Sequence, residues 1–202
     1  MPKVIGITGG IATGKSTVLR MFGELGADTL SADTLAHEVL AEGTEAYAET
    51  VARFGKGILM PDGEIDRAAL GALVFADDAA RQSLNSITHP RIIAAIRRHV
   101  DSFRSNPPSP DAVLAVEIPL LFECGLETIV DEVLVVAAEP KAQLSRLTSR
   151  NCLTTQDAEA RIAAQMPIEF KIERAHRVIY NEGSEQDLAV VVRMVWDEIH
   201  LP

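Results

Sequence analysis

One stretch of eight residues constrains this chain more than any other. Gly9-Gly10-Ile11-Ala12-Thr13-Gly14-Lys15-Ser16 fits G-x-x-x-x-G-K-[ST] at every fixed position. The run before it, Lys3-Val4-Ile5-Gly6-Ile7-Thr8, is β-rich and apolar on both faces, as a buried parallel strand is. The residues after it, Lys15 to Leu25, read as a helix. Val18, Met21, Phe22 and Leu25 share one face, and Gly26 suits the position just past the end. A strand, a glycine loop and a helix in this order cradle an anion. The glycines let successive N–H groups turn toward a phosphate, and the helix N-terminus adds a positive dipole end. In such a loop the lysine reaches the β- and γ-phosphates, and the serine hydroxyl can ligate Mg²⁺. The pattern arises by luck in roughly 1% of chains this long. The flanking strand and helix make luck the weaker account.

Related readings fall away on the same residues. A dinucleotide fold needs G-x-G-x-x-G, which is absent, and a GTPase would carry D-x-x-G and N-K-x-D downstream, neither of which occurs. ATP-dependent kinases and ATPases remain. A length of 202 residues suits one domain with a small insertion and favours a small-molecule kinase over a motor or transporter ATPase.

The remainder of the chain agrees with an α/β sheet. Asp28–Ser31, Ala112–Ile118, Glu132–Ala137 and Arg177–Tyr180 read as further strands, so five strands alternate with helices. Residues 33–103 read as helices without a good strand, with Pro90 starting or kinking one of them. Lys141–Arg150 and Thr155–Met166 read as helices, the second capped by Thr154 or Thr155. Ser184-Glu185-Gln186-Asp187 opens the last helix with capping-box spacing, and Leu188, Val191, Val192, Val195 and Ile199 form its stripe.

Charge and cysteine content exclude other classes. With 19 Lys and Arg against 29 Asp and Glu, the net charge of −10 opposes general nucleic-acid or anionic-membrane binding. The charge is uneven: residues 141–177 hold seven basic against four acidic side chains, a local +3, and the rest of the chain carries −13. The longest apolar run, Val133 to Ala138, is far below the roughly 20 residues of a membrane span. Cys124 and Cys152 lack metal-ligand spacing and read as reduced thiols, and no leader is visible, so cytoplasm is the expectation.

Three sets of residues suggest chemistry by position and type. Asp33 follows the second strand, where open sheets bind ligands, and a carboxylate there can accept the proton of an attacking hydroxyl. The plainer reading makes Asp33 the N-cap of a helix starting at Thr34. Arg146 and Arg150 lie four apart on one helix face and suit phosphate clamping, or form only a solvated basic face. Glu117 ends the third strand, where an acidic side chain can hold Mg²⁺ through water.

The ordered set of motifs resembles the dephospho-CoA kinase family along nearly the whole chain. The resemblance rests on Gly6–Ile11 entering the phosphate loop, Ser31-Ala32-Asp33 with Ala36-His37, Phe54-Gly55, Asp62-Gly63, Asp66-Arg67, Val74-Phe75 and His89-Pro90. It continues in Pro119-Leu120-Leu121-Phe122-Glu123, Gln143-Leu144-Ser145-Arg146, Arg150, Gln165 and Val178–Gly183. It implies transfer of the ATP γ-phosphoryl to the ribose 3′-hydroxyl of dephospho-CoA, the last step of coenzyme A synthesis. It also implies a P-loop nucleotide-kinase fold, with a five-stranded parallel sheet flanked by helices, a helical substrate insert and a helical lid. The expected boundaries are 1–33, 104–140 and 171–202 for the core, 34–103 for the insert and 141–170 for the lid.

By the same resemblance the catalytic set is Asp33, Lys15 and Arg146. ATP contacts are Gly9, Gly10, Ile11, Ala12, Thr13, Gly14, Lys15, Ser16 and Thr17, with Arg146, Arg150, Asn181 and Gly183 near the phosphates and adenine. Thr8, Asp33, His89, Pro119, Leu120, Leu121 and Phe122 would face dephospho-CoA, and Ser16 with a water-linked Glu117 would hold Mg²⁺. Four residues depart from the family pattern. Ser31 and His176 stand where the family commonly has Asp, and Ala12-Thr13 replaces the common Gly-Ser inside the loop. The expected protein is a monomer or weak homo-oligomer whose partners are small molecules. Another small-molecule kinase, or a nucleotide switch with little turnover, is the rival reading.

Overall fold

The structure is a computed structural model and describes residues 1–151 and 154–200, the side chains of Arg150 and Asn151 apart. The chain divides into two compact units, Met1–Ser31 with Ser102–Pro202, and Ala32–Asp101.

The first unit is built on five parallel strands: β1 (Lys3–Gly9), β2 (Asp28–Ser31), β3 (Val113–Glu117), β4 (Glu132–Ala137) and β5 (Arg177–Tyr180). Their order across the sheet is β2-β3-β1-β4-β5. The apolar runs are central: β3 is buried throughout, and β1 and β4 are buried but for their first residues. Such continuous burial is what a sheet covered on both faces requires. α1 (Lys15–Glu24) and α9 (Glu185–Ile199) cover one face. Val18, Met21 and Phe22 of α1, with Leu188, Val192, Val195 and Ile199 of α9, close over Ile5, Ile7, Val136 and Ile179. Gly26 takes a left-handed φ of 108° just past α1. Ser184 caps α9 through the full reciprocal capping box with Asp187, whose carboxyl is held below the usual range by the bonds from Ser184.

Between β4 and β5 lie α6 (Pro140–Asn151), α7 (Thr155–Ala163) and a short α8 (Ile168–Glu173). Thr154, rather than Thr155, caps α7 by accepting from the Asp157 N–H. The helix expected to run to Met166 ends at Ala163, and Pro167 precedes α8. His176 gains a physical account here. Its Nδ1 accepts the Val133 N–H at 3.0 Å, a task a carboxylate at this position would also perform.

The second unit is helical: α2 (Ala32–Val39), α3 (Glu45–Phe54), α4 (Arg67–Ala76) and most of α5 (Asp78–Ser105). Its small core gathers Ile58, Ile65 and Leu70 with Tyr47, Phe54, Val74 and Leu84. Leu73, next to Val74 on α4, is 46% exposed. Two expectations need correction. Pro90 starts no helix; it sits inside the single 28-residue α5. Side-chain donors serve the carbonyls around it, Arg91 to Ile87 at 2.7 Å and Thr88 to Leu84 at 2.9 Å, while Ala95, Ile96 and Val100 anchor the following turns in buried positions. A proline removes one helical bond, and a helix this well anchored tolerates the loss. Asp33 is not the cap of a helix starting at Thr34, because α2 begins at Ala32 and carries Asp33 in its first turn. No described helix is long and apolar enough to cross a membrane.

Candidate active site

β1 delivers the phosphate loop to the carboxyl edge of the sheet, and α1 leaves from it. The backbone there needs unusual dihedrals. Gly9 and Gly14 have φ of 148° and 101°, and a Cβ would meet the Val136 carbonyl oxygen at 2.1 Å or Asn181 Nδ2 at 2.3 Å. Ala12 also has a positive φ, 57°, so the alanine that replaces glycine is strained, by about 1 kcal/mol. The loop is gripped both from within and from outside. Thr13 Oγ1 and Lys15 Nζ donate to the Gly10 oxygen at 3.0 and 2.7 Å. Gln143 donates to Ile11 O at 2.7 Å, and Gln165 Oε1 accepts the Ile11 N–H at 2.6 Å. Arg146 donates to Ala12 O, Thr13 O and Asn181 O at 3.2, 3.4 and 3.0 Å, and Asn181 Nδ2 donates to Thr13 O at 2.8 Å. These bonds hold the loop in shape.

Ser16 and Glu117, 101 residues apart, meet: Ser16 Oγ donates to Glu117 Oε1 at 2.9 Å. Strand order causes this, since β3 lies beside β1 and Glu117 is in register with Ile7 and Ser31. Glu117 is buried. A hydroxyl and a carboxylate are hard oxygen ligands and suit Mg²⁺.

Beside the loop a cavity of about 580 Å³ opens, lined in part by Gly14, Thr17, Arg146, Asn181 and Gly183. With Ile11 and Ala12, which also line it, seven expected ATP residues border this cavity. Arg161 lines it too, and no motif marks that residue in the sequence. The Arg150 side chain and Cys152 lie outside the described residues.

The expected acceptor residues separate by unit. In the first, Thr8 is fully buried, and its hydroxyl donates to Pro119 O at 3.2 Å. Leu121 is likewise buried, its Cδ1 filling the space beside Gly6, whereas Leu120 is 40% exposed. Phe122 packs edge-on to Phe170 at 6.4 Å. Cys124 is a free thiol pushed up by burial and by Glu123. The second unit holds Asp33, exposed on α2, and His89, half-buried on α5 with its pKa lowered by desolvation. That unit has its own cavity of about 680 Å³, bordered by Leu35, Thr44, Pro90, Arg91 and Arg98.

Comparison with known proteins agrees with this geometry. The family model described as Dephospho-CoA kinase matches residues 3–187. The chain is 43% identical over 196 residues to the Dephospho-CoA kinase of Moorella thermoacetica, covering 97% of this chain and 92% of that one. Among solved structures it resembles the TT1252 protein of Thermus thermophilus, at TM-score 0.74 and 35% identity, with 98% and 97% of the two chains covered. It also resembles the dephospho-CoA kinase of Campylobacter jejuni, at TM-score 0.69 and 31% identity over the same shares. A gripped phosphate loop, a serine–glutamate pair beside it and a match along nearly the whole length lead to one conclusion: this chain belongs to the dephospho-CoA kinase family.

Proposed function

We propose that the chain phosphorylates the ribose 3′-hydroxyl of dephospho-CoA with ATP, releasing coenzyme A and ADP, and that it does so with the residues assigned here. The observation that carries this reading is the phosphate loop held by Gln143, Gln165, Arg146 and Asn181 beside the Ser16–Glu117 pair. ATP phosphates lie on Gly9 to Thr17, with Lys15 balancing charge on the transferred group. In support, Lys15 Nζ donates to the Gly10 carbonyl within the loop, which keeps the ammonium beside the loop backbone. Arg146, Asn181 and Gly183 border the nucleotide cavity, and Arg150 adds charge to the helix that carries Arg146.

Ser16 and Glu117 would hold Mg²⁺, Glu117 through water. Bound there, the cation supplies charge neutralisation at the β- and γ-oxygens. Among the described residues no cluster of three His, Cys, Asp or Glu forms. That suits a cation held mainly by phosphate oxygens and water. Asp33 accepts the proton of the 3′-hydroxyl as the oxygen attacks phosphorus and the bond to ADP breaks. The turn Pro119–Phe122, with Thr8 behind it, forms one wall for the acceptor, and the helical unit with His89 supplies selectivity. Residues 141–170 act as the lid that excludes water, a competing acceptor. The reading includes a cytoplasmic protein, monomeric or weakly homo-oligomeric, without nucleic acid.

The test is ADP release with Mg²⁺-ATP against dephospho-CoA, AMP, nucleosides and no acceptor. Acceleration by dephospho-CoA alone is the expected result. Equal rates with and without it would refute the assignment, and acceleration by a nucleoside instead would favour the rival kinase.

A further inference from the structure

Lys171 is 2% exposed, and nothing in the reaction as assigned uses it. A buried ammonium is retained where it is paired and hydrogen-bonded. Here Nζ lies 2.9 Å from Glu123 Oε1 and donates to the Pro119 carbonyl at 3.1 Å. The same carbonyl accepts from Thr8 Oγ1 at 3.2 Å, so α8 and β1 hold it together. Pro119 stands two residues past Glu117, the partner of Ser16. The neighbouring Phe170 packs edge-on to Phe122 and lies 3.5 Å beneath the Arg174 guanidinium. Six residues before Lys171, Gln165 accepts the Ile11 N–H of the phosphate loop.

The segment from Gln165 to Arg174 therefore touches two loops at the carboxyl ends of adjacent strands. One is the phosphate loop after β1, and the other is the turn after β3. An apolar side chain would serve a packing role there as well or better. What a lysine adds is a directed bond to one carbonyl.

We infer that Lys171 is a positioning residue: it sets the Pro119–Glu123 turn relative to the phosphate loop, so that the turn presents a fixed face to dephospho-CoA. The inference rests on the reading of that turn as an acceptor wall. Lys171 acts through Pro119 and Glu123 and touches neither substrate. Besides Gln165, the phosphate loop is held by Gln143, Arg146 and Asn181, which lie outside this segment, so the two substrates respond differently to the loss of Lys171.

The experiment compares the wild-type chain with Lys171→Met and with Lys171→Met/Glu123→Leu. The double variant removes both charges and leaves no stranded carboxylate. Steady-state KM and kcat are measured for each substrate, and a non-hydrolysable ATP analogue is titrated directly. Both variants should raise KM for dephospho-CoA about tenfold and leave affinity for the analogue within about twofold. An unchanged KM for dephospho-CoA overturns the inference, as does an equal loss for both substrates. Where Lys171→Met does not fold, the double variant decides by the same criterion. A wild-type chain that does not phosphorylate dephospho-CoA above an ATP-only blank defeats the functional reading itself; an active wild type beside variants of wild-type KM defeats only the role of Lys171.

Discussion

In the sheet unit, polar side chains reach far along the chain to hold backbone: Gln165 to Ile11, Arg146 to Ala12 and Thr13, Asn181 to Thr13, Lys171 to Pro119. In the helical unit they mostly act close to home. Thr44 caps α3, Asp66 accepts from Ala68 and Ala69, and Thr88 serves Leu84. Tyr47 to Gly63 and Arg91 to Glu49 are its longer ties. The cores differ in the same way. Buried residues of the strands together with α1 and α9 form one, and a few residues around Ile58 form the other, leaving Met60, Leu73 and Phe75 exposed. A loop that must present N–H groups in a strained shape cannot hold itself, so it borrows partners from distant elements. A helical bundle satisfies its own backbone and needs only caps and a small apolar centre.

The comparison can be broken by substitutions on each side. The largest expected effect is catalytic. Asp33→Asn should lower kcat by about 10²–10⁴-fold with ATP affinity near wild type. Near-normal turnover in that variant removes Asp33 from its role. Next, Ile58→Ala should destabilise the helical unit by about 2–5 kcal/mol. Hydrogen exchange would show faster amides in residues 45–100 while β1, β3 and β4 stay protected. Uniform acceleration would mean that the two units unfold as one. Arg146→Met should weaken ATP binding by roughly 1.5–3 kcal/mol, the range for hydrogen bonds from a charged donor. Its KM for dephospho-CoA should stay put, so a parallel rise in both constants would contradict the separate bracing of the nucleotide side.

The smallest effect concerns pH. Burial lowers the His89 pKa below its usual value of 6.5, so the unfolded chain binds the proton more readily than the folded one. The helical unit should therefore lose stability as pH falls through 6.5, and stability should recover as pH rises. His89→Gln should flatten that slope in acid melts. A slope unchanged in the variant would assign the acid sensitivity to other groups.

Much of the site was readable from local signals. Gly9 to Ser16, the strand before it and the helix after it are all encoded within about 25 residues, and the structure places them as read. Ser184 likewise announced its helix, since a capping box spans four residues. Pro90 misled only as a helix start, because a proline is a local signal while α5 is held by burial of Ala95, Ile96 and Val100. Asp33 misled as a cap because Ala32 already continues from β2 into helix. Lys171 and Arg161 escaped notice because each is one basic residue in a basic segment, and only their neighbours distinguish them.

By itself the sequence determined the phosphate loop, the five strands, the family and the chemical types available at the site. These depend on side-chain period, turn residues and caps, which act over a few positions. Tertiary structure alone decided the order β2-β3-β1-β4-β5, and with it the meeting of Ser16 with Glu117. It also decided which lysine is buried, which glutamines grip Ile11, and that Leu121 faces the core. Those outcomes join residues as far apart as 154 positions, as in Ile11 and Gln165. No local rule specifies such a pairing, because it follows from how the sheet packs under its helices.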